Sequence, residues 1–382
     1  MPKRIMVIYG TRPEAIKCAP VIKAIDAHPE LEAISVVTGQ HKEMLSQVNS
    51  LFEITPDADL DVFEQGQSLN HLSAKILDRL DPIFDQFHPD AVLVQGDTTT
   101  VAIAAIAAFY REIPVVHLEA GLRSGNLKSP FPEEANRKLV GQIADLHLAP
   151  TKQSRENLLH DGIPADRITV TGNTVIDALH YTTEKPVSYL DPRVAEAVSS
   201  DRRILLVTAH RRENWGDPMV QIGKALGEIA SKYPDDLIIY PAHGNPAVRA
   251  AIMPSLEGLE NVIVTDPLDY LQFSNLINAA HVVLTDSGGI QEEAPSLGKP
   301  VLVLRENTER PEAVTAGTVK LIGTDREVIV SEVSILKSSQ EAYAAMSEAV
   351  NPYGDGKAAA RSAAAVAELL GVGTRLDEFT AD

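Results

Sequence analysis

Short apolar runs recur along the whole chain and alternate with longer stretches of mixed polarity. Within each run the apolar residues are consecutive, which predicts strands buried on both faces, as in a parallel sheet between two helix layers. The predicted strands of the first half are Arg4–Tyr9, Ile34–Thr38, Ala91–Gln95, Val115–Leu118, Leu146–Ala149 and Ile168–Thr171. Those of the second half are Ile204–Thr208, Leu237–Tyr240, Val262–Thr265, Val282–Thr285, Val301–Leu304 and Val319–Ile322.

The alternation is interrupted over residues 182–201, where two prolines and several polar residues predict an interdomain connection. We therefore expect two doubly wound α/β domains, one over residues 1–180 and one over residues 181–355. An alanine-rich helix within residues 356–382 is expected to return to the first domain and complete it. Ligands of such sheets bind at the carboxyl ends of the strands, so a cleft between two facing domains is the expected site.

The composition is that of an ordinary globular protein, with 44% hydrophobic residues among 382. Its formal net charge of −19 argues against nucleic acid or an anionic membrane as a partner, so a phosphate ligand would need local binding groups. Cys18 is the only cysteine, which excludes an internal disulfide and fits a reducing compartment. The histidines and acidic residues show no compact metal-ligand spacing, so we expect no metal site.

The amino-terminal sequence MPKRIMVIYG has too short an apolar run to be a signal peptide. The longest apolar stretch, Val101–Phe109, is well short of the ~18 residues that a membrane span requires. We therefore expect a cytoplasmic protein.

The most informative segment is His281–Glu293, with the sequence HVVLTDSGGIQEE. Gly288 and Gly289 follow a predicted strand and allow a ligand to approach the backbone, and a helix that begins there offers unpaired N–H groups to an anion. Glu292 and Glu293 lie beyond the first helical turn, where a favourable interaction with the helix dipole has faded. A phosphate site with a nearby acid for sugar hydroxyls and a simple capped helix both remain open from this segment alone.

The segment GTRPEAIK follows the first predicted strand. Pro13 suits the start of a helix, so Arg12 would lie at its mouth and Lys17 about one turn further in, where a phosphate clamp is possible. The alternative is an exposed arginine and lysine on a helix surface. The chain has neither G-x-G-x-x-G nor G-x-x-x-x-G-K-[ST], so this turn is not a dinucleotide fingerprint or a P-loop.

Three acidic residues of the first half occur where strands end or helices begin. Asp97 follows a strand and is on its own more typical of a helix N-cap. Glu119 follows the next strand, and Glu133 comes with Glu134 directly after Pro132, where acids also match a helix dipole. Their convergence on one sheet edge would favour catalytic roles.

In the second half, His210 ends a strand and is followed by Arg211 and Arg212, an arrangement that suits phosphate binding. His243 occupies the corresponding end of the next strand, and Arg310 precedes a proline at a predicted helix start. No G-x-S-x-G is present, so a serine hydrolase has no support.

Together these motifs resemble, in order, those of the bacterial non-hydrolysing UDP-N-acetylglucosamine 2-epimerases. The resemblance covers nearly the whole chain and rests on the segments GTRPEAIK, QGDTTT, HLEAGLRS, FPEEANRK, TGNTVIDAL, AHRREN, DSGGIQEEAPSLGKPV, ENTERPEAVTAGTV and NPYGDG.

The resemblance implies the glycosyltransferase-B fold, reversible epimerisation of UDP-GlcNAc to UDP-ManNAc at C2 and no added cofactor. It implies that Ser287, Gly288 and Gly289 bind pyrophosphate, that Glu293 binds ribose and that Phe273 lies at the uracil. It also implies that four side chains surround the phosphates and sugar: Arg12, Lys17, His210 and Arg310. The implied catalytic residues are Asp97, Glu119, Glu133 and His210.

Members of this type are often activated by a second UDP-GlcNAc molecule and are homodimers. The resemblance implies both properties for this chain. The matching positions for the activator are Gln40, Glu133, Arg211 and His243. Glu43 and Gly66 depart from the glutamine and arginine that some members carry, so activation is an open expectation. The product would supply ManNAc units for a cell-surface polysaccharide.

Four alternatives share part of this pattern. A hydrolysing 2-epimerase would release free ManNAc and UDP, and a glycosyltransferase would need an acceptor. An NAD-dependent sugar epimerase would need the glycine fingerprint that this chain lacks. A non-catalytic UDP-sugar sensor would bind the ligand without turnover.

Overall fold

The computed structural model describes residues 1–39, 42–64 and 66–381. The chain divides into two compact units, which we describe separately. Unit 1 comprises Met1–Ala178 and Tyr353–Ala381, and unit 2 comprises Leu179–Pro352.

Unit 1 contains a parallel sheet of seven strands among its described residues, in the order β3-β2-β1-β4-β5-β6-β7. The strands are β1 (Lys3–Tyr9), β2 (Leu31–Val37), β3 (Ala58–Asp59), β4 (Ala91–Gln95), β5 (Val115–Leu118), β6 (Leu146–Ala149) and β7 (Ile168–Val170). The chain order reverses between β1 and β4, which pair in parallel from Ile5 opposite Ala91 to Ile8 opposite Val94. Loops that follow these two strands therefore lie at the switch point, where α/β sheets hold their ligands.

The helices of unit 1 are α1 (Arg12–Asp26), α2 (Lys42–Leu51), α3 (Leu69–Phe87), α4 (Thr99–Tyr110), α5 (Glu133–Ile143), α6 (Lys152–His160), α7 (Thr174–Thr183) and α16 (Ala358–Leu369). The unit boundary falls inside α7. The carboxyl-terminal helix α16 packs against α1 and β6. Its face is built mainly of alanines, and small side chains of this kind allow two helices to approach closely.

Unit 2 contains a parallel sheet of six strands among its described residues, in the order β10-β9-β8-β11-β12-β13. They are β8 (Ile204–Thr208), β9 (Leu237–Pro241), β10 (Val262–Thr265), β11 (Val282–Thr285), β12 (Val301–Val303) and β13 (Val319–Leu321). The helices are α8 (Pro192–Ser199), α9 (Asp217–Lys232), α10 (Pro246–Ile252), α11 (Tyr270–Ala279), α12 (Gly288–Ser296), α13 (Pro311–Ala316), α14 (Arg326–Ser338) and α15 (Gln340–Ser347). The switch point here lies between β8 and β11.

The predicted α/β class with two doubly wound sheets is confirmed, and every predicted strand is present. The central strands are buried because both faces of each sheet are covered by helices, as the continuous apolar runs indicate. The edge strand β3 was not predicted, since two residues are too few to show a periodic pattern.

The predicted interdomain connection contains the helix α8, which the sequence analysis missed. Asp191 caps this helix through a hydrogen bond from the Arg193 amide, and Pro192 occupies its first position. Val194 and Ala197 are its buried residues. Pro192 was taken as evidence of a connection, but a proline at the first helical position starts a helix rather than ending one.

Candidate active site

The first site loop follows β1 and begins at Gly10. A Cβ atom at Gly10 would lie 2.1 Å from Oγ1 of Thr38, the residue that follows the neighbouring strand β2. Only glycine therefore fits at this position. Thr11 then caps α1, and the half-buried Arg12 is its first residue, at the helix mouth where it was predicted. Pro13 follows at the position where proline is well tolerated.

Glu14 was not singled out from the sequence, although it connects two loops of the site. Its buried carboxylate accepts hydrogen bonds from the amides of Gly10 (2.6 Å) and Thr11 (2.9 Å) and from Thr98 Oγ1 (2.6 Å). Burial raises the pKa of Glu14, against the effect of these hydrogen bonds. The T-x-x-E spacing of a capping box was the available signal for the contacts with the Gly10 and Thr11 amides. It gave no signal for the contact with Thr98.

Asp97 lies between β4 and α4, and Thr98 rather than Asp97 caps α4. The N-cap alternative for Asp97 is therefore wrong, because the threonine hydroxyl already accepts the Val101 amide. The Asp97 carboxylate instead contacts Arg137 of α5, with Oδ2 2.6 Å from Nη2 and 2.9 Å from Nε. The side-chain amide of Asn136 donates to the Asp97 carbonyl at 2.8 Å.

Glu119 directly follows β5 and has a left-handed backbone with φ of 63°. Its carboxylate receives both hydrogen bonds of an ion pair with Lys17, at 2.5 and 2.7 Å. Gln95 and Asn173 also donate to it, the latter at 3.1 Å. Lys17 therefore lies with a candidate catalytic acid in unit 1, and its phosphate contact stays a prediction.

Glu133 and Glu134 both occupy the first turn of α5, but they differ in their surroundings. Glu134 is fully buried, and its carboxylate accepts from the amides of Ser124 (3.0 Å) and Gly125 (3.2 Å) and from Arg137 (3.0 Å). Burial opposes ionisation, yet these donors together lower the pKa of Glu134. Glu133 has a buried Oε2 atom without a hydrogen-bond partner among the described residues. The structure thus separates a helix-anchoring acid from one available for chemistry.

Asp286 is the organising residue of the corresponding edge in unit 2. It is fully buried, and its Oδ2 accepts from the amides of His210 and Arg211, both at 2.8 Å, and from Asn214 at 3.2 Å. The His210 ring nitrogen Nδ1 lies 3.2 Å from the other carboxylate oxygen. Burial lowers the pKa of His210 despite this carboxylate, so the ring is neutral at physiological pH.

The helix α12 begins at Gly288, as its sequence predicted, with Ser287 at the N-cap. Ser287 makes no side-chain capping bond, so the first amides of α12 are not satisfied by it. A Cβ atom at Gly288 would lie 3.3 Å from the Arg310 guanidinium carbon and 3.5 Å from Arg211 Nη2. Two cations therefore stand beside a helix N-terminus, an arrangement that suits an anionic ligand.

The two acids further along α12 have different partners. Glu292 is buried and accepts from Arg310 Nε at 2.7 Å, so it fixes the guanidinium beside the helix start. Glu293 accepts from the Tyr270 hydroxyl at 2.9 Å. Both contacts are charge-assisted and orient groups around Gly288 and Gly289.

The remaining predicted residues have these positions. Phe273 is half-buried on α11, and the exposed His243 ring stacks on His210 with ring centroids 5.6 Å apart. Gln40 lies outside the described residues, as does the side chain of Glu43. Gly66 is described and has φ of 76°.

Two further classes of site were searched over the described residues. No group of three or more histidine, cysteine, aspartate or glutamate side chains is arranged to hold a metal ion. Within the same residues, no helix has both the length and the apolar character needed to cross a membrane.

The two doubly wound sheets, each with polar side chains at the carboxyl ends of its strands, define a Rossmann-like α/β protein of the glycosyltransferase-B class. The model of the UDP-N-acetylglucosamine 2-epimerase family matches residues 23–367. The chain is 52% identical to the UDP-N-acetylglucosamine 2-epimerase of Salmonella typhimurium, over 94% of this chain and 96% of the relative. It belongs to the UDP-N-acetylglucosamine 2-epimerase family.

Solved structures agree with this assignment over the full length of the chain. A crystal structure from Listeria monocytogenes is 45% identical in sequence to this chain and has a TM-score of 0.94. The match covers all of both chains. The UDP-GlcNAc 2-epimerase of Neisseria meningitidis, solved bound to UDP-GlcNAc, is 46% identical with a TM-score of 0.88. That match covers 96% of this chain and all of the other.

Proposed function

We propose that this protein interconverts UDP-GlcNAc and UDP-ManNAc without hydrolysing them, by elimination and re-addition of UDP. The observation that carries the proposal is the sheet edge of unit 1, where Asp97 and Glu119 are each paired with a cation. Carboxylates at fixed positions suit a reaction that moves a proton to and from carbon. Membership of the epimerase family names the substrate to which this chemistry would apply.

The chemistry explains why both acids and an anion site are needed. The C2 proton of the sugar is not adjacent to a carbonyl group, so direct deprotonation is unfavourable. In the proposed elimination, the C1–O bond breaks and UDP leaves with its electron pair. A carboxylate takes the C2 proton, and the C2–H electrons form the C1–C2 double bond of 2-acetamidoglucal. Protonation of C2 from the opposite face and return of UDP to C1 complete the epimerisation.

Residues of unit 2 would bind the departing UDP. The α12 amides at Ser287, Gly288 and Gly289 would hold the pyrophosphate, with the cation Arg310 and the neutral His210 ring beside it, because a helix N-terminus, a fixed cation and hydrogen-bond donors stabilise developing negative charge. Glu293 would accept from the ribose hydroxyls, and Phe273 would contact the uracil.

Residues of unit 1 would carry out the proton transfers. Asp97, Glu119 and Glu133 are the proposed acids and bases, and Arg12 and Lys17 would contribute positive charge near the phosphates. Glu133 differs from the other two because no cation pairs with it among the described contacts, so its carboxyl group is not committed to an ion pair there.

We also propose that UDP-GlcNAc activates the enzyme at a second site, through Gln40, Glu133, Arg211 and His243. The stacked His210 and His243 rings support a connection between the two sites, because a ligand on one ring would move the other. The protein would act as a homodimer and would supply ManNAc units for a cell-surface polysaccharide. Activation predicts a sigmoidal dependence of rate on UDP-GlcNAc, and light scattering would measure the dimer.

One experiment tests the reaction itself. The protein is incubated with UDP-GlcNAc in D₂O without NAD, and C2 is followed by NMR. The proposal expects deuterium at C2 and the signals of a second UDP-hexosamine. Free ManNAc with stoichiometric UDP would establish a hydrolysing enzyme, and unchanged substrate would contradict epimerase activity.

A further inference from the structure

Arg137 lies between two carboxylates of unit 1, and the family resemblance had given it no role. Each nitrogen of its guanidinium group has an acidic partner. Nε and Nη2 contact Asp97 Oδ2 at 2.9 and 2.6 Å, and Nη1 contacts Glu134 Oε2 at 3.0 Å. Two nitrogens of the planar guanidinium thus hold one carboxylate oxygen, which fixes its position more closely than a single lysine ammonium would.

Glu134 fixes Arg137 from the other side. Its side chain is completely buried, and two amides of the preceding loop, those of Ser124 and Gly125, donate to it. Because a buried carboxylate with three donors has little freedom, it holds the guanidinium in place. Asp97 therefore contacts a cation that is itself anchored.

The backbone around Asp97 is held independently of Arg137. Asn136 donates to the Asp97 carbonyl, the His117 ring nitrogen Nε2 lies 2.8 Å from the Gly96 carbonyl, and Thr98 donates to Glu14. Removing the guanidinium would therefore leave the loop in place and release mainly the carboxylate.

The pair between Arg137 and Asp97 lies at the surface of the site. The Arg137 side chain is 16% exposed and that of Asp97 is 25% exposed, so a ligand can reach the carboxylate while the guanidinium holds it. Because both side chains are mostly buried, loss of Arg137 also costs stability, and positioning is therefore tested by kinetics on folded variants.

We propose that Arg137 is a positioning residue, which holds the Asp97 carboxylate in place for proton transfer, and that Glu134 anchors it for this purpose. This inference rests on the proposed epimerase function and assigns to Arg137 a role that acts through Asp97.

The test measures kcat and KM for Arg137→Met and Arg137→Lys. Lys138→Met is the matched control, since Lys138 is the next residue of α5 and pairs with Asp161 instead. We expect kcat of Arg137→Met to fall about 100-fold with KM changed less than about threefold, and Arg137→Lys to be intermediate.

A double mutant separates positioning from a direct substrate contact. In an Asp97→Asn background, adding Arg137→Met should change kcat less than about threefold. Arg137 acts through the Asp97 carboxylate, which this background has already replaced by a neutral amide. The double mutant Glu134→Gln/Arg137→Met also removes the buried charge of Glu134, so it gives a folded protein for comparison if Arg137→Met is unstable. It should show the same fall in kcat as Arg137→Met.

Three results would overturn the inference: an unchanged kcat in Arg137→Met and in the Glu134→Gln/Arg137→Met variant, a raised KM at normal kcat, or full additivity with Asp97→Asn. An inactive wild-type protein would instead contradict the proposed function, so the two failures are distinguishable.

Discussion

The two sheet edges of this protein place acidic residues at similar positions and use them differently. In unit 1, Asp97 and Glu119 pair with Arg137 and Lys17, and the Asp97 side chain keeps a quarter of its surface exposed. In unit 2, the fully buried Asp286 binds mainly backbone amides. In the proposed function the first edge holds charged groups in position for reaction, whereas the second uses charge to shape a loop.

The difference shows how one fold serves two tasks. A parallel sheet places loops at the carboxyl ends of its strands in both units, whatever those loops contain. Where the acids meet side-chain cations, their carboxylates are held at the edge of the sheet, as the proposed proton transfer requires. Where the acid is buried beneath two amides, the loop above it is rigid and can present a helix N-terminus to an anion.

The largest effect is expected from Asp97→Asn. This variant should fold and bind UDP normally but lose about 10³-fold in kcat, because the amide cannot exchange a proton with carbon. Steady-state kinetics and calorimetric titration with UDP measure the two properties. Asp81→Asn, which removes a partner of Arg111 at an exposed position, is the control. Undiminished turnover in Asp97→Asn would remove the proposed distinction between the edges.

Asp286→Ala should act on stability rather than on chemistry. Its three donors would lose their buried acceptor, so we expect the free energy of unfolding to fall by about 3 kcal/mol. Urea denaturation measures this change. Asp266→Ala, at an exposed ion pair with Arg249, should be within about 0.5 kcal/mol of wild type. Equal effects for the two variants would show that burial of Asp286 is not what stabilises the loop.

Acid should reveal a further difference, because unit 1 buries His117 and His147. Burial lowers the pKa of His147 to about 3, with the nearby His117 and Arg123 adding to the effect, against an ordinary value of 6.5. A depressed folded-state pKa gives stability that is fully present above pH 6.5 and is lost as the pH falls towards 3. At pH 5 this loss is about 2 kcal/mol for His147.

The measurement is the unfolding free energy at pH 7.5 and pH 5 for wild type and His147→Leu. The variant should lose about 2 kcal/mol less than wild type over this interval, since leucine takes up no proton on unfolding. His160→Gln, at an exposed position of α6, should behave as wild type does. The same acid sensitivity in all three proteins would rule out protonation of His147 as the cause.

The smallest effect is expected from Arg310→Met in unit 2. The variant should weaken UDP binding about tenfold, because one of the cations at the start of α12 is lost while the helix amides remain. Calorimetric titration gives Kd. Arg326→Met, which breaks an exposed pair with Glu228, is the control. An unchanged Kd in Arg310→Met would show that the Arg310 guanidinium does not contribute to phosphate binding.

Much of this architecture could be predicted from local sequence. Continuous apolar runs predicted every strand except the two-residue β3, because burial on both faces leaves a strong pattern. The start of α12 at Gly288 followed from a strand, a polar pair and two glycines. The helix α8 was missed because Pro192 and its polar surroundings are equally typical of a connection.

The partners of the site residues could not be predicted in this way. Lys17 and Glu119 are 102 positions apart, and Arg137 is 40 positions from Asp97. The strands β1, β4 and β5 are neighbours in the sheet, so the loops that follow them lie at one edge. The helix α4 packs on this sheet and against α5, which brings α5 to the same edge. No local pattern contains the strand order.

The sequence by itself therefore determined the elements, the starts of α1 and α12 and the residue types at the strand ends, since these depend on near neighbours in the chain. Only the tertiary structure decided which charge meets which: Lys17 with Glu119, Arg137 with Asp97 and Glu134, and Asp286 with the loop after β8. The physical reason is that an ion pair or a buried hydrogen bond needs atoms within about 3 Å, and folding brings them together from distant parts of the chain.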